Sequence, residues 1–574
     1  MVKAKRSSSS FKGSLTRRDL LKIGGVAIPA AMVLPPWLSA TAQTATTTFD
    51  FYISPTGSDS NPGTVASPWA ITSLRTSSAN WSKLPGKRIG LLPGTYNVGA
   101  IMTNDPVSGA LQIPGGTSSS WTYLGSSNAS GNYSARTATI TAYSNGLYGG
   151  HNATGPGSWD GPILSHSGQW PAAYPLGYLT IDGIVFTGFS YKGVRIGGNS
   201  SGDGPVITAP VTIQNCEFFG GGYNSGDYGD NMVALWIDPF QPASGQGCLV
   251  TNNYFHDTIG ASGASSMDHL NAIIVLGFST QSWGVEVSYN TCHSAGNIYG
   301  KEGGVNGCNV HHNYVDVSMY TEGSTGIQDF MSGGGSFSGL TRPSTINNNI
   351  ILMHGGTAGG NGGIGFPTLS QTTYGSAYGW QTPVSIYNNT IVCVAGGAGP
   401  LAIMGDAAQN ASGIGQVKVY NNIYVSNGVS GSWNGYGNFL TTARSPAVWD
   451  YNLYPAGGVQ WSIVPDANNQ SLCASHSIYT SAASFASAVA AGGGISGVDA
   501  HSVVGGVVPT FVNTGSFAQL YKLAAGSPGV GQGSSNGTPS GTPTDMGAWG
   551  NGATWVGCNF GYVGPDAPVL DGVS

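Results

Sequence analysis

The stretch that decides the fold is Val250-Thr251-Asn252-Asn253-Tyr254-Phe255. It reads apolar, any, any, Asn, any, apolar or aromatic, and the pattern returns six more times. The later copies are Val287–Cys292, Val310–Val315, Ile346–Ile351, Ile386–Ile391, Val419–Tyr424 and Trp449–Tyr454. Two earlier copies, Ile181–Phe186 and Ile213–Phe218, have Ile184 and Cys216 where the Asn would stand. From Asn253 to Asn452 the successive spacings are 37, 23, 36, 40, 33 and 30 residues. A fixed residue at variable spacing is expected when each copy is one coil of a solenoid and longer coils carry loops at their corners. Equivalent residues then stack about one strand spacing apart, roughly 4.8 Å. Stacked Asn side chains can bond to one another as a ladder, a known stabiliser of in-register parallel strands. The spacing predicts coils of three short parallel strands. A second strand precedes each Asn strand, at Gly193–Ile196, Val233–Trp236, Ala272–Val275, Asn297–Glu302 and Gly326–Asp329.

Composition agrees. The chain has 574 residues, 92 of them Gly, and only 8% are charged, against about a quarter in an average domain. Glu occurs four times, at Glu217, Glu286, Glu302 and Glu322, which excludes a long helical bundle or coiled coil. A hydrophobic content of 40% excludes disorder driven by charge repulsion. No strict Gly period is present, so collagen is excluded too.

The first residues read as an address. Thr16-Arg17-Arg18-Asp19-Leu20-Leu21-Lys22 has the form of a twin-arginine motif, Ile23–Leu34 is apolar, and Ala40-Thr41-Ala42 offers a cleavage site. The apolar run is shorter than the roughly 20 residues a membrane span needs. Residues 1–42 are therefore expected to be an export signal, and the mature protein to be periplasmic or extracellular without a membrane anchor. This segment holds seven of the 19 bases and one of the 25 acids, so the mature chain carries a net charge of −12 rather than the −6 of the whole. Such a balance argues against nucleic acid or anionic lipid as a partner. The seven Cys are odd in number and form no CxxC pair, so they read as small core fillers rather than a zinc cluster or a full disulfide framework.

The repeats resemble those of right-handed parallel β-helix proteins of the pectate-lyase-like superfamily. Phe51–Thr64 and Arg88–Tyr96 look like the opening of secreted members, and Leu523–Pro528 with Asp545–Ala548 looks like their closing segment. The resemblance implies an all-β solenoid with an Asn ladder and terminal caps. The expected organisation is an opening strand, cap and first irregular coils at 43–178, a regular solenoid at 179–454, and a closing segment at 455–574 with a short helix at Ala482–Ala491. A capped solenoid needs no partner, which fits a monomer.

Charged groups crowd one part of this sparsely charged chain. Arg195, Asp227, Asp230, Asp238, Asp257, Asp268, His269, His293, Lys301, Glu302, Glu322 and Asp329 lie on or beside the second strands. Lys301 stands in the shortest coil and is one of six Lys in the mature chain. The segment Ala295–Lys301 looks similar to the strand carrying the catalytic lysine in one polysaccharide lyase family of the superfamily. That resemblance implies β-elimination from a polymer of uronic acids, with Lys301 as base. Asp268, His269 and Glu302 are the further catalytic candidates. Arg195, Trp236, Tyr299, Glu322 and Asp329 are candidate substrate contacts. Calcium is the implied cofactor, with Asp227, Asp230 and Asp257 as candidate ligands, because it prefers carboxylate oxygens. The tight run of adjacent aspartates that usually marks that family's calcium site is not present. From the residues alone, three alternatives stay open. Lys301 can instead pair with Glu302, Glu322 or Asp329 on a solvated face. Two of the acids can serve a glycoside hydrolase. The solenoid can also be a non-catalytic glycan-binding protein. The partner in each case is a polysaccharide.

Overall fold

The two-residue corner between the Asn strand and its successor organises the fold. In the computed structural model the chain forms a right-handed parallel β-helix of three sheets. The described residues run from 48 to 558, excluding 102–109, 144–161, 167–175, 198–205, 223–231, 259–269, 277–282, 319–325, 334–342, 355–362, 367–378, 404–416, 427–434, 440–447, 464–476, 513–520 and stretches of five residues or fewer. The proposed export segment lies outside them.

Sheet I has twelve strands, from Phe51–Ile53 to Val448–Asp450, and contains the strands ahead of the Asn corner. Sheet II also has twelve, from Gly94–Asn97 to Val503–Val504, and follows the corner. Sheet III has nine, from Leu111–Gln112 to Leu401–Ile403, and contains the second strands read from the sequence. Each coil passes through III, I and II in turn, as in Met232–Ile237, Cys248–Thr251 and Tyr254–His256.

At the I–II corner the first of two residues takes a left-handed conformation. Asn215, Asn252, Tyr289, His312, Asn348, Asn388, Asn421 and Tyr451 all have φ between 54° and 58°. Asn tolerates this region and His does so to a lesser degree; Tyr rarely enters it. They adopt it here because the second residue, the ladder Asn, pins the turn. The Oδ1 of Asn290 accepts from the backbone N–H and the Nδ2 of Asn253, both at 3.0 Å. The Nδ2 of Asn290 donates to Val250 O one coil back at 2.9 Å and to Asn313 Oδ1 at 3.1 Å. The same bonds recur through Asn313, Asn349, Asn389 and Asn422 to Asn452. Each inner amide thus uses both donors and both acceptor positions. The ladder opens on the Cys216 N–H, which donates to Asn253 Oδ1, and closes on Ser502 Oγ, which accepts the Asn452 N–H.

Apolar side chains stack inside. Phe186, Phe218 and Phe255 lie face to face with centroids 5.1 and 4.8 Å apart. Cys216, Cys248, Cys292 and Cys308 are buried free thiols, as is Cys558. Two 3-10 turns, Ile71–Leu74 and Trp81–Lys83, bring Leu74 and Trp81 into the core at one end, and Phe485 of helix α1 (Ala482–Ala491) joins it at the other. The chain then turns back and straps the corner. Asn421 Nδ2 donates to Ser534 O, Asn388 Nδ2 to Asp545 O, and Asn348 Nδ2 to Ala548 O and Gly550 O. Cys558 N–H reaches Thr291 Oγ1 at 3.0 Å. This strap covers the outer face of sheet II over Tyr314, Ile350, Leu352 and Val392.

The ladder makes a direct prediction. Asn349→Ala removes the acceptor of two Asn313 donors and strands them in the interior. Each stranded buried group costs about 1–3 kcal/mol, so the variant should lose roughly 2–5 kcal/mol in denaturant unfolding. An unchanged midpoint would mean that the ladder does not hold the coils together.

Candidate functional site

The outer face of sheet III is built by register. Ser165, Arg195, Trp236, Ile274, Tyr299 and Gln328 occupy one row across successive coils. Lys192, Val233, Asn271 and Asn297 occupy another at the upstream end of the strands. Val233, Trp236, Ile274 and Leu276 form an apolar cluster separate from the interior core, and half-buried Tyr299 packs against it.

The charged members of this face are committed to one another. Arg195 Nε donates to Asp238 Oδ2 at 2.6 Å, and Trp236 Nε1 donates to Asp238 Oδ1 at 3.0 Å. Lys192 Nζ lies 4.0 Å from the centroid of the Trp236 ring. Arg195 and Trp236 are 3% and 6% exposed. The sequence suggested both as substrate contacts, but here they belong to a buried network that ties neighbouring coils together. Among the described residues, Tyr299 is the expected contact that keeps some exposure.

Lys301 closes the strand Asn297–Lys301 and is in register with Leu276. The carboxylates expected around it are not all brought there. Asp257 follows the sheet II strand Tyr254–His256, at the turn toward sheet III, whereas Lys301 is at the far end of sheet III. Its carboxylate pairs with His256 Nδ1 at 2.8 Å. Asp227, Asp230, Asp268, His269, Glu302, Glu322 and Asp329 lie outside the described residues. Among the described residues no group of His, Cys, Asp or Glu is placed to hold a metal ion.

Sheet II carries a polar patch of which the sequence reading named Asp257 and His293, but beside the second strands rather than here. Glu217 Oε1 pairs with His256 Nε2 at 3.0 Å, and Glu217 Oε2 with Arg136 at 3.4 Å. The His256 ring stacks on Tyr254 and Phe219. One coil on, His293 Nδ1 meets Asp316 Oδ2 at 3.1 Å, and Ser318 donates to Asp316 Oδ1 from both its N–H and its hydroxyl. Phe219, His256, His293 and Asp316 each stand three residues after the ladder position, and that offset was readable. On sheet I, Glu286 pairs with His311 at 3.3 Å, and the Nδ1 atoms of His311 and His312 are 2.8 Å apart. Burial and the neighbouring His311 push His312 down to about 3, so it stays neutral. Burial alone would raise the Glu217 and Asp316 carboxyls, but it is outweighed. The His256 bond and charge, with Arg136, hold Glu217 low, and His293 with Ser318 does the same for Asp316. These groups spend their bonding on each other, as structural clamps do.

Comparison with known proteins found likeness among solved structures alone. No protein-family model matches the chain, and no curated protein matches it. Among solved structures it is similar to pectate lyase Pel9A at 15% identity, with a TM-score of 0.42 over 87% of this chain and 95% of that one. It is also similar to an alginate lyase from Paenibacillus sp. str. FPU-7 at 13% identity and a TM-score of 0.30, over 69% of this chain and 93% of that one. A third is a GH136 lacto-N-biosidase from Eubacterium ramulus at 12% identity and a TM-score of 0.36, over 66% and 64%.

The clamp at Asp316 has a pH signature. A carboxyl held low when folded stabilises above its unfolded value and loses that stabilisation as pH falls through its folded value. Asp316→Asn should therefore destabilise the protein at neutral pH. The gap to the parent should close as pH drops below the normal carboxylate range. A gap constant down to pH 2 would contradict the assignment.

Proposed function

We propose that the protein is an exported polysaccharide lyase that cleaves a uronic-acid polymer on sheet III, with Lys301 as the base. The observation that carries this reading is the distribution of charge over the sheets. The strands of sheet III contain Lys192, Arg195 and Lys301 and no acid. Those of sheet I mix Arg88 and Lys418 with Asp182, Glu286 and Asp450. Those of sheet II carry Glu217 and Asp316 and neither Lys nor Arg. Asp238, one residue past Met232–Ile237, neutralises Arg195, so Lys192 and Lys301 are the bases that support sheet III as the face for a polyanion in a mature chain of net charge −12. Arg195 pairs with Asp238 and Lys192 lies over Trp236, and Lys301 is assigned to chemistry on the likeness of Ala295–Lys301 to a lyase strand.

The reaction breaks the bond between C4 and the glycosidic oxygen of a uronate. Lys301, neutral, takes the C5 proton; the C5–H electron pair forms the C4–C5 double bond; the glycosidic oxygen leaves and is protonated. A Lys can act so when neighbouring cations lower its pKa toward the working pH. If calcium binds, Asp227, Asp230 and Asp268 would be the residues to hold it, offering the oxygen donors it prefers, and it would offset carboxylate charge on the polymer. Asp257, held by His256, is less suited to that set. Export by the twin-arginine route, already folded, fits a substrate outside the cell.

The test is an assay of the mature protein on pectate, alginate and glucuronan, reading ultraviolet absorbance of the unsaturated product beside reducing ends. Absorbance should rise, chelator should slow it, and Lys301→Ala should lower the rate about 10²–10⁴-fold without changing the fold. Reducing ends without absorbance would point to hydrolysis. Glycan retardation with neither signal would point to binding alone. Full activity of Lys301→Ala would remove that residue from the mechanism.

A further inference from the structure

Asn271 is unlike the other buried asparagines. It is 1% exposed, yet neither its Oδ1 nor its Nδ2 has a hydrogen-bond partner. The ladder amides, by contrast, are saturated. A buried amide with both ends unmet costs about 1–3 kcal/mol for each group. Burial of that kind is rare in folded proteins and marks places where something outside the fold completes the bonding.

Its position says what that is. The register shifts between Asn271 and Ile273, so that Ala272 and Ile273 both enter the interior core. Asn271 is left level with Val233, a member of the outer cluster of sheet III, and in the row that begins with Lys192. It lies on the strand Leu270–Leu276, which pairs with the strand ending in Lys301. It pairs with Asn297, four residues before Lys301, so at about 3.3 Å each it stands roughly 13 Å along the strand from the assigned base. Thr258, whose hydroxyl is likewise buried and unpartnered, is the last described residue before the segment that returns at Leu270.

We infer that Asn271 is a glycan-recognition residue of the sheet III site. Its Nδ2 donates to one hydroxyl of a pyranose ring and its Oδ1 accepts from the adjacent one, on a uronate unit remote from the bond that breaks. A primary amide offers one donor edge and one acceptor edge in one plane, which matches a pair of neighbouring hydroxyls. Sugar hydroxyls would satisfy the group on binding, and the stability lost in the free protein is recovered then. This rests on the reading of sheet III as the polymer-binding face.

The test uses saturated tetramers of galacturonate, mannuronate and glucuronate with Asn271→Leu, Asn271→Ala and Lys301→Ala. Melting temperature and calorimetric binding are read for each. Asn271→Leu should melt a few degrees above the parent without sugar, because it removes an unmet polar group. It should bind the preferred tetramer at least about tenfold more weakly. Asn271→Ala covers the case in which Leu packs badly, and should show the same loss of binding. Lys301→Ala should bind normally. Unchanged binding in both Asn271 variants, or no binding of any tetramer by the parent, overturns the inference. Lowered melting in both variants with binding intact also overturns it, by making the residue structural. If Lys301→Ala keeps full elimination while the Asn271 variants lose binding, the base assignment falls and the recognition residue stands.

Discussion

One hydrogen-bonded side chain per coil sets the conditions for everything else. The strands are short, most of them two to seven residues, and none is stable alone. The ladder Asn takes the backbone N–H of the coil before it and caps a carbonyl of that same coil, so successive coils are locked in register at the I–II corner. The left-handed residue ahead of it turns the chain in two steps, too tightly for a loop to intrude. Insertions are consequently confined to the other two corners, where coils grow from 23 to 40 residues without disturbing the stack. The strap adds a second fastening on the outside of the same corner, using the amides of the first residues Asn348, Asn388 and Asn421.

Register fixed at one corner is register fixed on all three sheets, and this is how a working face is assembled from residues far apart in sequence. Most polar groups on the outer faces are then spent on cohesion. Asp182 accepts from Tyr123, Tyr133, Gln214 and Asn215, and nothing of it remains for a ligand. Arg195 with Asp238, His256 with Glu217 and His293 with Asp316 are of the same kind. A chain this poor in charge can keep an outer surface ordered only if its few charges meet one another. What is left over among the described side chains of sheet III, the unmet amide of Asn271, is correspondingly informative.

The ladder could be read from the sequence because its physics is local: an Asn in phase with flanking apolar residues, whatever the spacing. The strands of sheet III were legible for the same reason, as apolar runs ahead of each Asn. The partnerships on the outer faces were not. Arg195 and Trp236 read as exposed contacts because the pairing of Arg195 with Asp238 depends on which residues share a row across coils 43 positions apart. His256 and Asp316 fall at one fixed offset from the ladder, but only the register shows that they belong to one strip with Glu217 beside it. Asn271 gave no signal at all, since a lone Asn outside the ladder is ordinary until its burial and its lack of partners are known.

The central claim is that sheet III is the face on which a uronate polymer lies. The most direct measurement is a crystal structure of the Lys301→Ala variant soaked with a saturated uronate tetramer. The sugar is expected along the outer face of sheet III, spanning the strands Leu270–Leu276 and Asn297–Lys301. Ordered sugar on the Glu217–His256 strip of sheet II, or on sheet I, would contradict it.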